Sequence, residues 1–190
     1  MAAEPDRAAL DHLDRALGPV RLLPGGPRWI DRARWHLTLT FLGELAVDGA
    51  DRLDRLTAAL GTVPAAHRTV HLRLSEAGTF PARGSPQVLW VGVTGEQGEL
   101  DRLRGLARAT ARAARQAGVR VERRPFHPHL TLGRWRRGDA VDRAAVAALA
   151  GYGGPAFRLT EVVLMRSHLG PQPRYERLTG WPLPDPLRRS

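Results

Sequence analysis

The tetrapeptide His-Leu-Thr-Leu occurs twice in this chain, as His36-Leu37-Thr38-Leu39 and as His129-Leu130-Thr131-Leu132. Imidazoles transfer protons near neutral pH, and hydroxyls donate hydrogen bonds to anions without adding charge. Each copy alternates polar and apolar residues, the period of a half-buried β-strand. On the first strand His36, Thr38 and Thr40 share one face, and Trp35, Leu37, Leu39 and Phe41 share the other, read as core. On the second, His129 and Thr131 point away from Leu130 and Leu132. Residues two apart on a strand are roughly 6.6 Å apart along its axis, so one ligand can touch both side chains. Two such strands facing each other across a groove supply two imidazoles and at least two hydroxyls. That set suits acid–base chemistry on an anionic group, and an enzyme is the leading reading.

The bare triplet is not specific. Seven histidines and eleven threonines in 190 residues give about 0.4 His-x-Thr triplets by chance. Three occur, and the third, His67-Arg68-Thr69-Val70, even keeps the following apolar residue. The flanks separate them. The first copy continues as Thr40-Phe41-Leu42-Gly43-Glu44, and the second is framed by Arg124-Pro125-Phe126-His127-Pro128 and Gly133-Arg134. The third stands after Pro64 and an alanine pair with no such frame, so His67 reads as an ordinary strand-entry residue.

Composition narrows the class. The chain has 43% hydrophobic residues, no cysteine, and a net charge of +10 carried by 29 basic residues, all of them arginine. Disulfides and thiolate metal sites are therefore excluded. The sequence has no apolar run of about 18 residues, and Met1 to Leu10 lacks the apolar core of a secretory signal. A soluble cytoplasmic protein is expected. Arginine offers planar paired donors to phosphate and stacks on bases, so the excess charge points to nucleic acid or another polyanionic substrate, although a GC-rich coding sequence alone would explain arginine in place of lysine.

The elements that must position the motifs follow from periodicity. Helices are predicted over Pro5 to Leu17, Asp48 to Leu60, Glu96 to Gln116 and Val141 to Leu149. Strands are predicted over Trp35 to Leu42, Val70 to Leu74, Gln87 to Val93, Val119 to Glu122, His129 to Trp135, Phe157 to Arg166 and Tyr175 to Leu178. Gly78 to Pro86 reads as a loop, and Pro182 to Ser190 as an unstructured tail. Each motif strand is followed by a loop, a helix and an alternating strand. This order suggests two similarly built lobes sharing a cleft, within a single domain over residues 1–181.

Three stretches carry a family resemblance. They are His36-Leu37-Thr38-Leu39-Thr40-Phe41-Leu42-Gly43-Glu44, then Pro86-Gln87-Val88-Leu89-Trp90-Val91-Gly92-Val93, then Arg124-Pro125-Phe126-His127-Pro128-His129-Leu130-Thr131-Leu132-Gly133-Arg134. In content and order they resemble the two-histidine phosphoesterases, specifically the bacterial RNA 2′,3′-cyclic phosphodiesterases historically called 2′-5′ RNA ligases (LigT-like). The resemblance implies an α+β fold: two pseudo-symmetric lobes of antiparallel sheet with outer helices and a central cleft. It implies opening of 2′,3′-cyclic phosphates on RNA or nucleotides to 2′-phosphates, with no metal and no other cofactor; a monomer is expected, though nothing in the residues fixes the oligomeric state. His36 would be the proton donor and His129 the proton acceptor, with Thr38 and Thr131 holding the phosphate. Arg134, just past the second motif, is a further candidate for phosphate.

Two departures stand out. The family usually opens with a strand of the type Arg-Leu-Phe-Ile-Ala-Ile, and no such strand is visible here before Glu4, which implies a late start codon or a lost strand. Gln87 occupies a position where the family often has arginine, with Arg83 nearby as a substitute. His127-x-His129 has the spacing of a metal pair, yet no nearby carboxylates complete a site, and the flanking prolines suggest a rigid loop that orients His129. Trp135 shares parity with His129 and is a candidate for stacking on a base. Competing readings are a phosphodiesterase acting on another small cyclic phosphate or a 2′-5′ linkage, and a non-catalytic arginine-rich RNA-binding module.

The decoy motif supplies a test. His36→Ala and His129→Ala should each lower turnover of a 2′,3′-cyclic phosphate by about 10² or more, the worth of one positioned proton transfer. His67→Ala should leave it unchanged, with folding checked for every variant by circular dichroism.

Overall fold

A computed structural model of the chain describes residues 1–44, 50–122, 124–136, 138–139, 141–168, 170 and 173–185. The elements run β1 (Ala2–Ala3), α1 (Arg7–Val20), β2 (Arg28–Trp29), β3 (Leu37–Thr38), α2 (Ala50–Gly61), β4 (Val70–Phe80) and β5 (Val88–Thr94). They continue with α3 (Gln97–Gln116), β6 (His129–Arg134), α4 (Ala144–Ala148), β7 (Gly153–Leu159), β8 (Glu161–His168) and β9 (Arg174–Pro182). The strands form one antiparallel sheet in the order β7-β4-β5-β6-β3-β1-β8-β9, and β2 pairs alongside β6. Helices and antiparallel strands in this arrangement make an α+β fold. The two motif strands, β3 and β6, are direct neighbours at its centre, with three further strands on either side in the path.

Period and capping explain the elements around that centre. In β4, Val70, Leu72 and Leu74 are buried while His71 and Arg73 are exposed, the alternation of a strand with one covered face. The helix α1 starts where the Asp6 carboxylate accepts the Ala9 N–H at 2.8 Å, and it buries Ala9, Leu13, Leu17 and Val20 against β7 and β4. The helix α3 buries Leu103, Leu106, Ala107, Thr110, Ala113 and Ala114. It ends at Gly118, whose φ of +80° is one that side chains with a Cβ rarely adopt. Among the described residues, no helix is long and apolar enough to cross a membrane.

Several expected boundaries move, each for a local reason. The first motif strand is only Leu37–Thr38, because the Leu39 and Thr40 amides both turn to the Met1 carbonyl, at 3.0 and 3.2 Å. Alternation runs on through the buried Leu39 and breaks at Thr40. Thr40 is buried and bonded to Thr110 of α3 at 2.7 Å, while Phe41, expected in the core, is 70% exposed. A strand does exist before Glu4: the buried pair Ala2–Ala3 lies between β3 and β8, too short to register as a periodic pattern. The strand expected over Val119 to Glu122 is absent, since the Val119 amide closes the end of α3 on the Ala114 carbonyl. The strand expected over Phe157 to Arg166 is two, parted at Thr160. The tail expected from Pro182 is ordered through Asp185. Leu183 is buried, its amide bonds Thr160, and Asp185 pairs with Arg158. Residues 186–190 lie outside the described residues, as do Asp48 and Gly49 of the predicted helix Asp48 to Leu60.

Leu130 is fully buried at the junction of the two motif strands. Leu130→Ala should cost about 2–5 kcal/mol in urea unfolding, through lost burial and the cavity left behind. Phe41→Ser should stay within about 0.5 kcal/mol of the parent, as befits an exposed side chain.

Candidate active site

The site is built by one register. β3 and β6 run antiparallel with Leu37 opposite Leu130, and both leucines are buried. One step to either side, His36 stands opposite Thr131 and Thr38 opposite His129, all four on the face turned away from the leucines. The two histidines are then diagonal neighbours, roughly 7 Å apart at their Cβ atoms by sheet geometry. They are close enough for the charge of His129 to act on His36.

Each imidazole is tethered in the same way. His36 Nδ1 lies 2.9 Å from the Arg34 carbonyl, and His129 Nδ1 lies 2.7 Å from the His127 carbonyl. A carbonyl only accepts, so Nδ1 carries the donated proton in both rings and Nε2 is left for chemistry. Burial lowers the pKa of both histidines below the ordinary 6.5, and the tethering carbonyls oppose that shift in part. Neighbouring positive charge lowers them further: the Met1 ammonium and Arg34 act on His36, and His127 and Arg134 on His129.

Aromatic rings brace the pair from two sides. Tyr175 meets His36 edge-on at 4.7 Å between ring centroids, and the Arg34 guanidinium lies 5.6 Å from the Tyr175 ring. Phe80 meets His129 edge-on at 5.0 Å and Trp90 lies 6.2 Å away, while both also contact the His127 ring. Trp90 stands opposite Thr131 in the β5–β6 ladder, so it shares the face of the histidines. Its indole lies flat across Gly78, where a Cβ would come within 2.3 Å of the ring. Thr38 and His129 also open onto a groove of about 1020 Å³ along α3.

Sequence reasoning named four residues that the fold brings together: His36, Thr38, His129 and Thr131. Arg134 is exposed at the end of β6, near enough to act on His129 electrostatically. Trp135, a candidate for the cleft by parity, is instead buried, with its indole N–H donating to the Gly25 carbonyl at 2.9 Å. A bulge in the β5–β6 ladder, where Leu132 has no partner on β5, upsets the alternation on which that parity rested. His67 sits after the short helical turn Pro64–Ala66, beside Gly105 of α3 and outside this cluster. His127 orients His129 through its carbonyl. Among the described residues no three His, Asp or Glu side chains gather as metal ligands. Tyr175, Phe80 and Arg34 were missed. The one available signal was positional: Arg34 and His127 both lie two residues before a motif histidine.

Residues 7–171 match the sequence profile of the 2′-5′ RNA ligase superfamily. The chain belongs to that superfamily. It is 31% identical over 155 residues to an RNA 2′,3′-cyclic phosphodiesterase of Geobacillus stearothermophilus, covering 82% of this chain and 47% of that protein. It is 30% identical over 151 residues to the enzyme of the same name from Bacillus subtilis, covering 80% of this chain and 78% of that one. The chain thus spans about half the length of the first relative and most of the second. Among solved structures, Escherichia coli LigT complexed with 3′-AMP superposes with a TM-score of 0.74 at 25% identity, covering 96% of this chain and 95% of that one. A Thermus thermophilus structure gives 0.72 at 26% identity, with 97% of each chain covered.

The tethers and shifts predict a titration. In an NMR titration both motif histidines should titrate below 6.5 and should show the Nδ1–H tautomer when neutral. The linkage has a defined sign. Above pH 6.5 the rings are neutral folded or unfolded; as the pH falls below it, the unfolded chain takes up protons first and stability declines until the folded pKa values are passed.

Proposed function

We propose that this protein hydrolyses RNA 2′,3′-cyclic phosphate ends to 2′-phosphates by a two-histidine acid–base mechanism. The observation that carries the reading is the antiparallel Leu37–Leu130 register, which sets two Nε2-presenting imidazoles on a diagonal with two threonine hydroxyls. The names of the relatives agree with it. His129 Nε2 takes a proton from water as the water oxygen bonds to phosphorus. The bond from phosphorus to the ribose 3′ oxygen breaks, and His36 Nε2–H protonates that oxygen. The phosphate stays on the 2′ oxygen. Acid and base on opposite corners suit attack and departure from opposite sides of phosphorus.

Thr38 and Thr131 donate hydrogen bonds to the non-bridging oxygens, and Arg134 and Arg34 add positive potential as negative charge builds. The lowered pKa values leave both rings largely neutral in the free enzyme at neutral pH. Binding of the phosphate anion favours a proton on one of them, which readies the acid. With an RNA 5′-hydroxyl in place of water, the same two proton transfers would form a 2′-5′ linkage.

The test is product analysis with a chelator present. A 2′,3′-cyclic nucleotide should yield the 2′-phosphate at an undiminished rate; a 3′-phosphate product, or loss of activity with chelator, would refute the proposal. Thr38→Ala and Thr131→Ala should each cost about 10- to 150-fold, the value of one hydrogen bond to a charged group. The bell-shaped kcat/KM profile, which reports the free enzyme, should centre on the acid side of 6.5, and the kcat profile should lie at higher pH.

A further inference from the structure

The groove that meets Thr38 and His129 has more charge than one phosphate needs. Its α3 wall carries Arg108, Arg112 and Arg115, a stripe at i, i+4 and i+7, and all three are exposed. None of the three makes an ion pair among the described residues. Among the described residues the only acidic one in the lining, Glu122, is paired with a fourth lining arginine, Arg124, at 2.7 Å. From Arg108 to Arg115 the helix rises about 10 Å, a span that reaches at least two successive backbone phosphates. Phe41 lines the same groove at 70% exposure, a large ring face left in solvent beside the site. The wall is firmly held: Thr40, two residues beyond Thr38, hydrogen-bonds Thr110 at 2.7 Å within the arginine-bearing stretch of α3.

We infer that this groove is a subsite for single-stranded RNA, holding the nucleotides on the 5′ side of the terminal ribose while the end phosphate lies between His36 and His129. The inference rests on the proposed function, because a 2′,3′-cyclic terminus has chain on only that side. Arginines spaced along a helix with an exposed aromatic ring match single-strand binding, in which cations track the backbone and a ring stacks on a base. The substrate class is therefore an RNA oligonucleotide, favoured over a cyclic mononucleotide, and the groove is where that preference is set.

The experiment compares the intact chain with Arg108→Ser/Arg112→Ser/Arg115→Ser on a short oligoribonucleotide ending in 2′,3′-cyclic phosphate and on a cyclic mononucleotide, across a salt series. The triple variant should lower kcat/KM for the oligonucleotide by about tenfold or more and flatten its salt dependence, moving the mononucleotide by less than about twofold. Phe41→Ala should weaken oligonucleotide use by about fivefold with the salt slope kept, because stacking is not ionic. Equal losses on both substrates, or an oligonucleotide rate unchanged in the triple variant, would overturn the subsite. Binding of a 5′-labelled oligonucleotide with a 2′-phosphate end, read by fluorescence anisotropy, separates the two ideas. If the parent turns over neither substrate yet loses this binding in the triple variant, the hydrolysis fails and the groove stands. Displacement of the labelled RNA by oligoglutamate as readily as by unlabelled RNA of equal charge would mean an unspecific polyanion surface, and the inference would fall.

Discussion

Everything in the site depends on one strand pairing, Leu37 of β3 against Leu130 of β6. Because side chains alternate along a strand, a slip of one residue would turn His36 and Thr38 into the core and Leu37 out to solvent. Burying both leucines therefore fixes where both imidazoles point. The hydrophobic interaction is non-directional, but the pleat converts it into a direction. A pair of core residues thus sets the positions of the four polar groups on the opposite face.

The imidazoles also need their rotation fixed, and the backbone supplies it. The carbonyls of Arg34 and His127 take the Nδ1 proton, so each ring is held in one tautomer with the other nitrogen outward. The same carbonyls partly offset the desolvation that lowers both pKa values. Tyr175 on one side and Phe80 with Trp90 on the other restrict the rings and keep their surroundings poor in water. Gly78 belongs to that support, since any side chain there would displace the Trp90 ring.

The helix α3 has one face in the core and another on the groove. Its buried face, with Leu103 and Leu106, belongs to the hydrophobic core. Its exposed stripe of arginines walls the groove, and Thr110 links it to the end of the first motif through Thr40. Three arginines with no ion pair among the described residues share one helix face, where like charges repel one another. The proposed RNA subsite would give that arrangement a purpose, in keeping with a chain whose net charge is +10.

The sequence by itself determined which groups are available for chemistry: two His-x-Thr strands, their framing residues, the exclusion of thiolate metal sites, and the helices whose leucines repeat at helical spacing. Those signals are local, carried by residue type and period, and the dismissal of His67 as a motif followed from its flanks alone. Only the tertiary structure decided that β3 and β6 are neighbours and that Leu37 meets Leu130, because register is a contact between distant segments. It also decided the exceptions to alternation. Phe41 turns outward and Thr40 inward because the backbone leaves the ladder for the Met1 carbonyl, and Trp135 is buried beyond a bulge. Tyr175 braces His36 from a strand at the far edge of the sheet, where no spacing rule links the two residues. Local pattern names the groups that can react; long-range packing decides which of them meet.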